Sequence, residues 1–186
     1  MAPWRAVRRY IAHPDPLAAA ANLIAVVIVW NQPFYPLYIY LLVGKDIAIT
    51  ALTFLSTPFF LAVPALARRC PLGGRVLLPL TGIVNTVFCT KVFGEAAGIE
   101  LFLAPCIMIA AMLFRRSERI VMLTLVGLGL AAYLLLHGRY GAPLHLYSSE
   151  EYTAFLGLNA VRVGSLIAFV GLTFSNALAE IETRQT

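Results

Sequence analysis

The chain has 186 residues, 60% of them hydrophobic and only 12% charged, with a net charge of +5. Charged residues are about half as frequent as the ~25% of a soluble domain, and one water-soluble core of this size cannot hide so many apolar side chains. At about 20 residues per membrane-spanning helix, this composition allows five or six spans and little else. It excludes a disordered chain, a disulfide scaffold and a soluble enzyme domain.

The N-terminal MAPWRAVRRYIAHPDP lacks the cleavage site of a secretory signal. It reads as a cytoplasmic interfacial segment, residues 1–15, with Trp4 and Tyr10 in the headgroup layer and Arg5, Arg8 and Arg9 facing anionic lipid. Asp15 is an N-cap and Pro16 a first helical residue. Span one is predicted from Pro16 to Trp30, where the two prolines of Asn31-Gln-Pro-Phe-Tyr-Pro36 end it. Trp30, Phe34, Tyr35, Tyr38 and Tyr40 form an expected outer aromatic belt. Span two is predicted from Asp46 to Ala67, kinked at Pro58, with Lys45 and Asp46 at the interface.

Arg68-Arg-Cys-Pro-Leu-Gly-Gly-Arg75 reads as a tight basic turn. Span three follows from Val76 to Phe93, and span four from Glu95 to Phe114 after a minimal turn at Gly94. Arg115 to Arg119 make the next basic turn, with Ser117 as the expected N-cap of span five, Glu118 to Leu136. A polar loop, His137 to Glu150, leads to a capping box, Ser148 with Glu151, and to span six, Glu151 to Asn176. Residues 177–186 read as the start of a charged helix leaving the membrane.

With the N-terminus inside, the inner segments carry Arg5, Arg8, Arg9, Arg68, Arg69, Arg75, Arg115, Arg116, Arg119 and Arg184. The outer ones carry Lys45, Lys91 and Arg139. That bias follows the positive-inside rule and puts both termini in the cytoplasm. The expected fold is therefore an all-α, six-helix transmembrane bundle over residues 16–176. No internal repeat supports a transporter built from inverted halves.

Polar side chains at membrane depth need partners and mark candidate sites. Asn85 falls in mid-span three, and Glu100 in the outer half of span four. Phe155, Asn159 and Arg162 share one face of span six. A Glu100–Arg162 pair would neutralise both charges. It would either lock two spans together or line a pocket for a ligand headgroup; one acid and one base make a poor proton relay. Lys91 and Glu95 match the dipoles of the helix ends they occupy, and Asn22 suits an interhelical hydrogen bond. Gly94 and Gly98 form a GxxxG that permits close helix contact.

Other chemistries find little support. His13, His137 and His145 do not face one another across spans, which argues against haem, and His137 and His145 with Glu150 and Glu151 offer a loop metal site only weakly. Cys70, Cys89 and Cys106 make neither a CxxC nor a disulfide framework. No cofactor or metal is expected. Basic residues are not interleaved with exposed aromatics in a polar setting, so nothing suggests nucleic acid. There is no G-x-S-x-G or H-E-x-x-H, and Glu150-Glu151 lacks the following arginine and histidine of an intramembrane protease.

Three stretches carry a resemblance. They are Trp30-Asn-Gln-Pro-Phe-Tyr-Pro-Leu-Tyr38, Asn85-Thr-Val-Phe-Cys-Thr-Lys-Val-Phe-Gly94, and Gly98-Ile-Glu-Leu-Phe-Leu-Ala-Pro105 running into Leu113-Phe-Arg-Arg-Ser-Glu-Arg119. Together with the order of spans, they resemble the six-helix membrane anchors of bacterial class III adenylate cyclases. Those are in turn similar to the receptor domain of Vibrio-type quorum-sensing histidine kinases. The resemblance implies a homodimeric receptor in the bacterial inner membrane. It would sense a lipid-like ligand and regulate a cytoplasmic cyclase or kinase domain, in cis or in trans, through the helix after span six. No such domain lies within the 186 residues, so the chain itself is not expected to be an enzyme. The expected ligand site joins Asn85, Glu100, Asn159 and Arg162 around a polar head with Phe88, Phe102 and Phe155 along an apolar body. A small transporter and a passive dimerising anchor are the alternatives.

Overall fold

The computed structural model describes residues 2–44 and 47–183, and every regular element in it is helical. The elements are α1 (Ala2–Ile11), α2 (Pro16–Asn31), α3 (Phe34–Val43), a 3₁₀ helix (Ile47–Ser56), α4 (Thr57–Ala67), α5 (Pro71–Phe93), two short 3₁₀ helices (Glu95–Ala97 and Ile99–Phe102), α6 (Leu103–Met112), a 3₁₀ turn (Arg116–Glu118), α7 (Arg119–Leu136) and α8 (Ser149–Thr183). Among the described residues five stretches are long and apolar enough to cross a membrane: Pro16–Leu41, Ala48–Ala67, Pro71–Phe93, Arg116–Leu136 and Ser149–Thr183. The sixth expected span is represented by a shorter apolar stretch, Ile99–Met112.

Several boundaries differ from expectation, each for a local reason. Span one does not stop at Trp30. Gln32 and Pro33 keep right-handed helical backbone, the Gln32 N–H bonds to the carbonyls of Ile28 and Val29, and the chain runs on into α3. Pro33 and Pro36 fall at the start of α3, where a missing N–H costs no helical hydrogen bond. Pro58 sits in the first turn of α4, so the expected kink is a change from 3₁₀ to α geometry at Thr57. Buried Gln32 holds that junction: its amide donates to Ser56 Oγ at 2.8 Å and the Thr53 carbonyl at 3.3 Å, and Thr57 Oγ1 donates back at 2.6 Å. The interfacial placement of Lys45 and Asp46, and the exit at Arg184, lie outside the described residues.

Arg75 is not part of an exposed turn. Helix α5 begins at Pro71, capped by Cys70 Sγ, which accepts from the Gly73 N–H at 3.3 Å, and this carries Arg75 into the core at 2% exposure. There Arg75 donates twice to Glu118 at 2.7 Å and once to the Leu113 carbonyl at 3.0 Å. Asp15 lies 4.0 Å from it and also pairs with Arg115 at 3.2 Å. Asp15 keeps its expected role as well, capping α2 through Leu17 N–H. Ser117 is not the N-cap expected for span five. Arg115 takes that place, its backbone N–H donating to the Glu118 carboxylate.

These contacts gather Tyr10, Asp15, Arg68, Arg75, Arg115 and Glu118 at one end of the bundle; Tyr10 reaches Leu61 O at 2.6 Å and Arg68 reaches Tyr10 O at 3.0 Å. The main apolar core lies near that end, where Leu17, Phe60, Phe114, Phe174 and Ala177 pack together. The last turns of α8 therefore return to the end where the chain begins. A second core, around Tyr35, Phe93, Ala97, Tyr147 and Phe155, lies at the opposite end. The outward faces of α7 and α8 carry large apolar side chains such as Ile120, Leu134, Val161 and Leu172, exposed as suits lipid contact.

Candidate functional site

The sequence-derived site is divided by the structure into three neighbouring parts. The first is a groove on the outside of the bundle. Asn85 and Phe88 line it from α5, with Leu55, Ser56 and Phe59 opposite. It has a volume of about 400 Å³ and an almost wholly apolar wall. Asn85 accepts a weak bond from Cys89 Sγ at 3.6 Å. Arg162 is not among the residues that line the groove.

The second part joins Phe102, Phe155, Asn159 and Arg162, as helical spacing on α8 requires. Phe155 and Asn159 are wholly buried. The Asn159 amide donates to the Ala97 carbonyl at 2.8 Å. That carbonyl is free because Gly94 and Gly98, at φ of 90° and 71°, fold the chain into short 3₁₀ turns rather than one long helix. Gly98 has a second reason to be glycine, since a Cβ there would stand 2.5 Å from Leu156 Cδ1 of α8. The Arg162 guanidinium lies 4.7 Å from the Tyr35 ring and 5.7 Å from the Phe102 ring. Tyr35 was expected in an interfacial belt. It is 5% exposed instead, with its ring edge-to-face against Phe93 at 5.7 Å.

The third part holds Glu100. The expected Glu100–Arg162 pair does not form. Glu100 Oε2 instead meets His137 Nδ1 at 2.7 Å. The cause is local: about three residues per 3₁₀ turn set Glu100 and Phe102 roughly 120° apart, so Phe102 meets Arg162 while Glu100 turns to the end of α7. The His137 ring stacks on Tyr133 at 4.9 Å and is itself largely in water. The hydrogen bond and charge of Glu100 hold the His137 imidazole above its ordinary pKa.

Lys91 and Glu95 also do more than match helix dipoles. Lys91 Nζ donates to the carbonyls of Tyr140 and Ala142 at 2.7 and 2.8 Å, and Glu95 accepts the Gly138 N–H at 2.6 Å. With the Leu144 N–H donating to Val92 O, they pin residues 137–147 over this end of the bundle. Burial, helped by the nearby Glu100 carboxylate, pushes the Tyr140 phenol up to about 12. Tyr147 packs edge-to-face on Phe155 at 4.7 Å, so the loop also covers the aromatic part of the site. The capping box at the start of α8 forms as expected, Ser148 N–H to Glu151 at 2.7 Å and Glu151 N–H to Ser148 Oγ at 3.2 Å.

Sequence reading missed Tyr35, Tyr140 and His137 as members of this region. Only Tyr35 left a signal, its position in a polar, proline-rich stretch between apolar runs. Asn22 donates to the Ile11 carbonyl at 3.0 Å, tying α2 to α1 rather than to another span. Among the described residues, no three histidine, cysteine or carboxylate side chains stand close enough together to hold a metal.

Comparison of the chain with protein-family models, with curated proteins and with solved structures finds no match.

Proposed function

We propose that this chain is the membrane receptor and anchor of a signalling protein. It would sense a lipid-like ligand from the bilayer and pass the signal inward through α8 to a cyclase or kinase domain. The observation that carries this reading is α8 itself. It is one unbroken helix from Ser149 to Thr183, about 52 Å at 1.5 Å per residue. It bears Asn159 and Arg162 beside the pinned loop, and it ends past the core at the opposite end. A shift of the polar groups at one end is thus a shift of the other end, without an intervening hinge. The requirement is that ligand bind one bundle packing more tightly than another.

Four further features support it. The lateral groove beside Asn85 and Phe88 opens toward lipid and suits an apolar chain. The Arg-rich end, with α1 and the last turns of α8 beside it, is the cytoplasmic one by the positive-inside rule. The sixth crossing falls to the stretch from Ile99 to Met112, whose mixed 3₁₀ and α geometry, at about 2.0 and 1.5 Å per residue, gives it roughly 23 Å. Finally, α8 presents Gly157, Ala160, Gly164, Ala168, Gly171 and Ser175 at three- and four-residue spacing along one face, and a Cβ at Gly157 or Gly164 would meet nothing within 4 Å. Such a strip lets two copies of α8 approach closely in a homodimer.

The test is a chimera. The chain through Glu182 is fused to a class III cyclase domain, and cyclic AMP formation is measured in inner membranes with and without a lipid extract of the source cells. A response that Asn159→Leu abolishes while the dimer persists supports a receptor. Output that ignores the extract, and that survives replacement of the bundle by an unrelated dimeric membrane helix, makes it a passive anchor.

A further inference from the structure

Among the described residues two arginines are buried or nearly buried, and the fold treats them differently. Arg75 is well served: a bidentate carboxylate, the Leu113 carbonyl and the Pro71 carbonyl take four of its five donors. Arg162 lies between aromatic faces and has no such service. Among the described residues, the salt bridges involve Arg75, Arg115 and His137, and none reaches Arg162. The rings of Tyr35 and Phe102 lie against it, and the Tyr38 phenol is nearby.

A guanidinium has two chemically distinct surfaces. Its flat faces stack on aromatic rings, and its edges carry five N–H donors in a fork that fits a carboxylate or phosphate. Tyr35 and Phe102 satisfy the first surface, and among the described residues no carboxylate meets the second. In hydrocarbon, donors without acceptors are costly and are retained where they serve a function. The Tyr35 hydroxyl is buried beside the fork, next to the Asn159 amide. The fork is a donor set without an anion.

We infer that Arg162, stacked by Tyr35 and Phe102, binds an oxyanion carried on an apolar chain. The shared chemistry is a carboxylate or phosphate presented from within the bilayer, from a long-chain acid or an anionic phospholipid. This rests on the proposed receptor role and narrows it: the ligand is an anionic amphiphile, and a neutral amphiphile of the same length is not recognised.

The test uses the whole chain purified into neutral phosphatidylcholine nanodiscs, with oleate, oleyl alcohol and phosphatidylglycerol as probes and native mass spectrometry as the readout. Wild type is expected to bind oleate saturably and at least about tenfold more tightly than oleyl alcohol, as one charge-assisted contact implies. Arg162→Gln should erase that preference, and the double variant Arg116→Gln/Arg119→Gln, at the opposite end, should leave it intact. Phosphatidylglycerol retained by wild type and released by Arg162→Gln, with oleate not bound, assigns the oxyanion to a phospholipid. The acid–alcohol comparison on wild type needs no variant to fold. Equal binding of acid and alcohol, no binding of any probe, or a preference lost only in the Arg116/Arg119 variant overturns the inference. The receptor reading is judged separately, by whether the cyclase chimera responds to lipid extract.

Discussion

Glu118→Ala should be among the most damaging single substitutions in this chain. Glu118 supplies both short bonds to Arg75, each 2.7 Å. Without it, the nearest remaining carboxylate is Asp15 at 4.0 Å, already engaged by Arg115. The Arg75 side chain is 3% exposed and cannot rehydrate where it lies, whereas Glu118 is 19% exposed. Breaking a buried pair by removing one partner costs about 3–5 kcal/mol, a large part of the ~5–15 kcal/mol that holds a typical domain. Arg75→Ala should cost less, about 2 kcal/mol, because the carboxylate it abandons keeps access to water and the Arg115 N–H. The double variant should be no worse than Glu118→Ala alone, so the cycle yields a coupling of about 2 kcal/mol. Equilibrium unfolding in dodecyl maltoside titrated with SDS, followed by helicity, measures all four corners. A coupling below about 0.5 kcal/mol, the level of an exposed pair, would refute the claim that this end is locked by a buried ion pair.

Gly98→Ala should destabilise by about 2–4 kcal/mol, combining a left-handed backbone at φ 71° with a contact 2.5 Å from Leu156, and thermal unfolding in nanodiscs measures it. Gln32→Ala should cost about 1–3 kcal/mol by stripping hydrogen bonds from Ser56 and Thr57, and the same unfolding assay checks it. The His137–Glu100 contact should make stability pH-dependent. His137 is held above its ordinary value of 6.5, so its contribution is fully present below pH 6.5 and is lost as pH rises through the elevated value. Wild type should therefore lose stability on passing from slightly acid to alkaline pH, and His137→Gln should flatten that slope; a slope unchanged by the substitution contradicts the pairing.

The apolar runs were legible because membrane helices must satisfy their own backbone and present lipid-soluble side chains, and length and composition suffice to find them. The same reading failed at Pro33 and Pro36. Prolines end a helix only in its interior, and here the chain starts a new first turn around them. Arg75 looked like turn charge because its carboxylate partner lies 43 residues away, beyond any local pattern. On α8, Phe155, Asn159 and Arg162 were correctly grouped, since 3.6-residue periodicity fixes which side chains share a face. Their partners across the bundle were not legible. Glu100 was matched with Arg162 by charge and depth, but the 3₁₀ geometry after Gly98 turns it toward His137. Charge complementarity names possible pairs; backbone geometry chooses among them.

The central claim is that α8 carries a signal from its polar end to the other side of the membrane, and a distance across the dimer tests it most directly. Cys70 is the exposed cysteine, while Cys89 and Cys106 are buried, so Cys70→Ser with Asn176→Cys leaves one accessible labelling site per chain. Pulsed electron paramagnetic resonance between spin labels at that site, in nanodiscs, would be recorded with and without the lipid extract. A receptor shifts the distance distribution by about 2 Å or more, the scale of helix displacements in signalling proteins, and Arg162→Gln removes the shift. An intact dimer whose distribution is the same in both conditions contradicts the account.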